Sequence, residues 1–442
     1  MAHPQPQEQE VESPKISAYD AYFETVQSRK KLPGPLQENL TFAFSKVPVS
    51  AFQGVPGGKV IEIGADTCIA DAVKVLSRHH ILSAPVRNPE AEANSDWSDK
   101  YLGIVDYSAI LLWVLETCRL SPSFCSATAA GVGGAGAMGA IGAVALGVTG
   151  PAAVAGLTAA AVCSAVAGTA LAKIGEAKDS PTGVNNLSED FDSIILQDEH
   201  FKSTTVRSIL KSFRWAPFLP VGTDSSMLSV LLLLSKYRMR NVPVIEPGQP
   251  NIKNFITQSA VVHGLEGCKG MEWFDCIAAK SISDLGLPFM VSNEVISANI
   301  NDPILEAFMK MRENEVGGLP VVEGTKKKIV GNVSISDIRY SLLKPELFSN
   351  FRNLSVKDFM SAISKNQGKA MSPITCNHQS SLGYVIETLA SKSVHRIYVV
   401  DGEECQVVGV ITLRDVISCF ISEPPNHFDA YLGFAVKQIM KH

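Results

Sequence analysis

The sequence predicts an α+β fold: four β-α-β-β-α units in series, with an Ala/Gly-rich helical hairpin inserted in the first half. Three observations predict it. First, Val394 to Phe420 reads as strand, turn, strand, helix. Ile397 to Val400 is an apolar, β-branched and aromatic run, Asp401-Gly402 is a turn pair, and Val407 to Ile411 is a second apolar strand. Thr412 and Asp415, three apart before Val416, Ile417 and Phe420 at helical spacing, form the pattern of a capping box. Second, the unit recurs. Ile397 to Val400 corresponds to Leu319 to Val322, to the run around Pro243 in Asn241 to Ile245, and to the run around Pro85 in Ile81 to Val86. Third, each copy carries an upstream helical pattern: Asp71 to Leu76, Met227 to Leu234, Pro303 to Met311 and Leu382 to Leu389. Fixed-period self-similarity of this kind is the signature of a repeat architecture.

Taken in order, residues 1–15 are polar and Pro/Gln/Glu-rich, which predicts a disordered tail. Residues 16–45 hold one amphipathic helix, Ile16 to Lys31, ended by Leu32-Pro33-Gly34-Pro35. It is expected to pack on the first module, with a partner-docking helix as the alternative. Residues 58–119 form the first repeat. Its polar loop, Asn88 to Lys100, is expected as an exposed excursion.

Residues 120–175 form the insert. From Leu120 to Ala172 no residue is charged, and small residues recur every fourth position on either side of Thr149-Gly150-Pro151. Three readings stand for it. It is a tight hairpin packed on the protein or a partner, a membrane hairpin, or a flexible linker. Ala and Gly drive insertion weakly compared with Leu or Ile, so membrane contact through 120–172 is not the favoured reading. The second repeat spans 212–270, the third 286–345 and the fourth 366–424, followed by a C-terminal segment at 425–442.

The chain has 442 residues and a formal net charge of -5, which argues against nucleic-acid binding through a global basic field. Nine dispersed cysteines include no CxxC pair and no Cys/His cluster at ligand spacing, so no metal site is expected. Scattered thiols without a secretory signal suit a reducing compartment. No GxSxG, HExxH or GxxxxGK[ST] motif is present, and no catalytic residues are expected.

Four such units, ending in Gly331-x-x-Ser334-x-x-Asp337 and Gly409-x-x-Thr412-x-x-Asp415, resemble CBS repeats. Four in tandem without a catalytic domain are similar to the gamma regulatory subunits of AMP-activated and sucrose-non-fermenting-type protein kinases, in the plant form that carries an Ala/Gly-rich insert. The likeness runs from about Phe42 to the C-terminus. It implies two tandem Bateman modules packed as a disc. It also implies a non-catalytic regulatory subunit of a heterotrimeric plant Ser/Thr kinase that controls carbohydrate, lipid and nitrogen metabolism. Kinase alpha and beta subunits would be its partners. AMP, ADP or ATP would be a regulatory ligand, with no obligatory cofactor. The cytoplasm, with the nucleus as a second compartment, would be its location.

The resemblance also assigns residues. Asp337 and Asp415 would accept from ribose hydroxyls, with Ser334 and Thr412 lining the same pockets, and His395 and Arg396 would meet phosphate. The chemistry is apt, because a carboxylate can accept from neighbouring hydroxyls and a guanidinium fork pairs with phosphate. A plainer reading stands beside it. Aspartate in a first helical turn caps the helix with no ligand, and His395 is a buried neutral histidine. Repeats one and two depart from the pattern. Ala109 and Ala260 replace the aspartate. Leu82-Ser83, Arg240-Asn241 and Gly317-Gly318 stand where repeat four has His395-Arg396. Two other functions remain open: a kinase-complex scaffold without nucleotide control, and a membrane-tethered CBS protein.

Overall fold

The computed structural model describes residues 14–52, 60–79, 81–92, 95–120, 199–213, 218–246, 251–337, 353–367, 372–425 and 427–428. The expectations for residues 1–13, for nearly all of the insert at 120–175 and for most of the segment 425–442 lie outside the described residues. Among the described residues no helix is long and apolar enough to cross a membrane.

Helices α1 (Pro14–Arg29) and α2 (Gly34–Lys46) precede the first repeat. That repeat holds β1 (Ile63–Gly64), α3 (Ile69–Arg78), β2 (Ser83–Arg87), the single turn α4 (Trp97–Lys100), β3 (Tyr101–Asp106) and α5 (Tyr107–Leu120). Helices α6 (Glu199–Ser203) and α7 (Val206–Phe213) lead to repeat two, with β4 (Val221–Gly222), α8 (Met227–Ser235), β5 (Asn241–Ile245), β6 (Ile252–Thr257) and α9 (Gln258–Glu266). Helix α10 (Glu272–Ala278) connects to repeat three, which has β7 (Ala298–Asn299), α11 (Ile304–Glu313), β8 (Gly318–Glu323), β9 (Lys328–Ser334) and a helical turn at Ile335–Asp337. Helix α12 (Val356–Gln367) opens repeat four, with β10 (Thr375–Cys376), α13 (Leu382–Ser391), β11 (Arg396–Asp401), β12 (Gln406–Thr412) and α14 (Leu413–Phe420).

The four units share more than element order. In each, a two-residue first strand runs parallel to the second strand, which pairs antiparallel with the third. Each hairpin carries a register shift at the same place, after Val86, Val244, Val321 and Val399. Proline sits in the central strand of three repeats, at Pro85, Pro243 and Pro320. The first strand pairs only with the two residues after it, so its missing N–H costs no ladder bond there. The expected turn at Asp401-Gly402 is present, with Gly402 in the left-handed region at φ 67.

Repeats join in two ways. Within a module, each repeat's leading segment bridges to its neighbour. Pro48 pairs with Ser226 and Thr205 with Cys68, while Ser281 pairs with Ser381 and Ser355 with Pro303. This reciprocal exchange ties repeat one to two and three to four. The sheets also meet: Tyr101, Phe218 and Ile252 pack in the first module, and Val322, Ile329, Tyr398 and Val407 in the second. Between modules the helices do the packing. Repeats one and three share one apolar cluster that includes Ile110, Phe308 and Phe359. Repeats two and four share another that includes Leu232, Ile386 and Phe420. The result is the pair of tandem modules expected from the resemblance.

Two expectations are corrected. Helix α1 does not flank the first half alone. It buries Tyr19, Phe23 and Val26 in the cluster of repeats two and four, and its C-terminal end is tied to the second module. Arg29 pairs with Glu294 at 3.0 Å, and Lys30 Nζ donates to the carbonyls of Ser418 and Ile421 at 3.2 and 2.6 Å. Its apolar stripe matches the seam between two repeats better than either alone. The loop Asn88 to Lys100 is not wholly exposed either. Trp97 lies against Phe218, ring centroids 5.9 Å apart, and Lys100 is buried and donates to Asn251. An indole gains more from the repeat-two sheet than from water.

Packing of this kind makes the inter-module helix layer the main apolar reserve. Phe308, 0% exposed and edge-on to Phe359, should lose about 3–5 kcal/mol of stability on Phe308→Ala. Tyr384, 48% exposed, should stay within about 0.5 kcal/mol on Tyr384→Ala in the same denaturant titration. Equal losses would contradict the layer as described.

Candidate functional site

Every third strand hands over to a helix at a capping residue. Asp106 Oδ1 accepts from Ala109 N at 2.8 Å, and Thr257 Oγ1 accepts from Ala260 N at 3.0 Å. In repeats three and four an aspartate reaches back to the strand end, and in repeat four the cap is reciprocal. Asp337 Oδ2 accepts from the backbone N and the hydroxyl of Ser334 at 2.7 and 2.8 Å. Asp415 Oδ2 accepts from the N and hydroxyl of Thr412 at 2.8 and 2.7 Å, and Thr412 Oγ1 accepts from Asp415 N at 3.3 Å. The capping and ribose readings therefore do not exclude one another. In each cap a single carboxylate oxygen, Oδ2, makes the bonds to the strand end.

The starts of the second strands converge. By register with the caps, Ser83, Asn241, Gly318 and Arg396 are equivalent positions, opposite Asp106, Thr257, Ser334 and Thr412. Arg396 does not stay over its own repeat. Its guanidinium reaches across to repeat three: a Cβ built on Gly318 would stand 1.8 Å from Arg396 Nη1, and one on Gly317 3.1 Å from Arg396 Nη2. The Gly317 position is also 3.6 Å from Arg240 Nη2, so guanidiniums from repeats four and two meet there. Gly317-Gly318 is thus the space that receives Arg396, and Ser334 is paired with Gly318 in that same hairpin. Arg240 is held by Asp106 at 3.3 Å and by the Ser108 hydroxyl.

Electrostatics mark the same place. Arg240 is shifted below its ordinary value by burial, with Asp106 acting against the shift and Arg396 adding to it. The His395 ring is lowered too, first by removal from bulk water and then by Arg396 and Arg240. Yet His395 keeps substantial solvent-accessible surface. The ring is thus crowded by two cations on one side and open to water on another. It is not the closed-in core histidine of the plainer reading.

Arg396 and His395 stand between the two caps: Arg396 reaches the Gly317-Gly318 strand start that pairs with Ser334, while in its own hairpin it pairs with Thr412, and the His395 carbonyl accepts from Leu413 N at 3.2 Å. Asp415 lies beneath helix α1. Asp415 is only 6% exposed, and Tyr22 donates its hydroxyl to Asp415 Oδ1 at 3.4 Å. Sequence reasoning missed Tyr22, Arg414 and Arg238 around Asp415, and Asp106 and Ser108 beside Arg240. The adjacency of Arg414 to Asp415 is the one signal that could have drawn attention there. Among the described residues no group of three His, Cys, Asp or Glu side chains is placed to hold a metal.

The CBS domain family model matches residues 282–344 and 356–422. The chain is 62% identical over 431 residues to the SNF1-related protein kinase regulatory subunit gamma-1-like of Arabidopsis thaliana, covering 96% of each chain. It is 34% identical over 399 residues to the SNF1-related protein kinase regulatory subunit gamma-1 of the same plant, covering 88% of this chain and 85% of that one. The crystal structure of a Methanocaldococcus jannaschii protein, described as an archaeal homolog of g-AMPK, matches with a TM-score of 0.50 and 16% identity. It covers 85% of this chain and 100% of that one, and it shows the fold. Repeats one and two, which the family model does not match, carry the same topology and the same register shift as three and four.

His395 gives a pH test. Its folded value lies below its unfolded value, so the unfolded chain binds the proton more strongly between about 4 and 6.5. The resulting stability is complete above 6.5 and is lost as pH falls through that window. NMR titration should place the His395 ring below the ordinary histidine range. His395→Gln should flatten the stability profile there, and an unchanged profile would contradict the placement.

Proposed function

The chain belongs to the family of SNF1-related protein kinase gamma regulatory subunits, and from that membership we propose a non-catalytic subunit of a plant Ser/Thr kinase complex that holds adenine nucleotide in its second pair of repeats. The observation that carries the nucleotide reading is the convergence of Arg396, Arg240 and His395 beside Ser334 and Asp337. Paired guanidiniums in a water-accessible recess suit a phosphate, which each can bind through two charge-assisted hydrogen bonds. The Asp337 carboxylate suits a ribose hydroxyl, which an ionised acid accepts from readily.

On this reading AMP, ADP or ATP is a regulatory ligand and not a cofactor. Its phosphate would meet Arg396, Arg240 and His395, with Ser334 lining the pocket. Thr412 and Asp415 would belong to a second pocket. The kinase alpha and beta subunits would be the partners, and a nucleotide would shift their arrangement only by its difference in affinity between two states. The repeats are taken as 58–119, 212–270, 286–345 and 366–424. The cytoplasm, with the nucleus second, agrees with exposed free thiols at Cys276 and Cys405. One observation favours the scaffold reading: Asp415 is already engaged by the chain itself.

Titration calorimetry with AMP, ADP and ATP separates these readings. Asp337→Ala and Arg396→Ala should each weaken binding about tenfold or more, the scale of one lost charge-assisted contact. Wild type that binds none of the three, yet co-purifies with alpha and beta subunits, would leave only the scaffold. A chain that associates with neither subunit would remove both readings.

A further inference from the structure

Helix α1 covers the second carboxylate in a particular way. The Tyr22 hydroxyl meets Asp415 Oδ1, the oxygen that the cap leaves over. The Tyr22 ring stacks on Arg414, whose guanidinium carbon is 3.8 Å from the ring centroid. Arg238, from repeat two, stands 5.2 Å from the same centroid and 3.6 Å from Glu315. The Nε and Nη2 atoms of Arg414 are shut off from water and have no hydrogen-bond partner among the described residues, and the same holds for Arg238 Nε. A guanidinium has donors on every side and keeps them satisfied when buried. Here the contact with an aromatic face stands in for part of what is missing. Burial and the Asp415 charge push the Tyr22 phenol up to about 12, so it remains a neutral donor at any ordinary pH.

The arrangement has the parts of a nucleotide site with a tyrosine in it. A planar ring lies on a guanidinium, a hydroxyl meets the carboxylate of the repeat-four cap, and donors of two arginines remain unused. We propose that Tyr22 is an intramolecular stand-in for nucleotide. Helix α1 closes the repeat-four site, and its displacement uncovers a second site in which Asp415 Oδ1 takes a ribose hydroxyl and Arg414 and Arg238 take phosphate. The proposal rests on the nucleotide reading of the second module. It explains how two repeats with the same cap differ in readiness.

Helix α1 is fastened by Tyr19, Phe23 and Val26 in the core and by two ion pairs on either side of Tyr22 in the chain, Asp20 on Lys236 and Arg29 on Glu294, so uncovering the site means lifting these contacts. Lys236 also holds Glu423 at 2.7 Å, so releasing Asp20 leaves that lysine with a partner.

Calorimetry and hydrogen exchange on the full chain with AMP test the idea. A pocket closed about nine-tenths of the time binds about tenfold more weakly than the open one. Tyr22→Phe, which keeps the ring, should tighten an Asp415-dependent site by up to that factor, and Tyr22→Ala by at least as much. Adding Asp415→Ala should abolish the gain, while Asp337→Ala should leave it. In wild type, saturating AMP should speed amide exchange in α1. If AMP binds in an Asp337-dependent way but neither Tyr22 variant gains an Asp415-dependent site, the plug is overturned and the nucleotide reading stands. If no form binds AMP, both are overturned.

Discussion

Arg396 and Arg240 are held side by side where the four repeats meet, and the rest of the central site follows from that constraint. Two guanidiniums repel one another, and burial raises the cost of each charge. Asp106 and Ser108 attend to Arg240, and Gly317-Gly318 clears a path for Arg396. His395 is driven toward its neutral form by the same field. Asp106 supplies negative charge to Arg240, and on the proposed reading a phosphate would complement both guanidiniums at strand starts that internal symmetry brings together.

The same symmetry explains how two similar caps come to differ. Asp337 and Asp415 make matching bonds to the strand end behind them. The difference lies in a further contact made by Asp415. Asp415 meets a tyrosine from a helix that precedes the repeats altogether. Duplication supplies the local chemistry, and a non-repeated element distinguishes one copy from the other. Helix α1 also spans both modules, so anything that moves it reaches both.

Much of this was legible in the sequence, and the reason is locality. Strand alternation, the Asp401-Gly402 turn and the Thr412-Asp415 cap depend on neighbours a few residues apart. What was not legible depends on distance along the chain. Gly317-Gly318 reads as a lost basic pair until Arg396, from the next repeat, is seen filling the space. Tyr22 and Asp415 are separated by 393 positions, and no periodicity connects them. Trp97 and Lys100 sit in a loop whose polarity suggests exposure, although the indole and the lysine stem find a partner repeat. The assignment of ribose and phosphate roles came from resemblance to a family.

The central claim is that the paired guanidiniums receive phosphate. A crystal structure of the chain with AMP tests it most directly. The account predicts a phosphate within about 3 Å of both Arg396 and Arg240 guanidinium nitrogens, with the Asp337 carboxylate against the ribose. AMP seated elsewhere, or a recess in which Arg396 and Arg240 make no contact with it, would contradict the account.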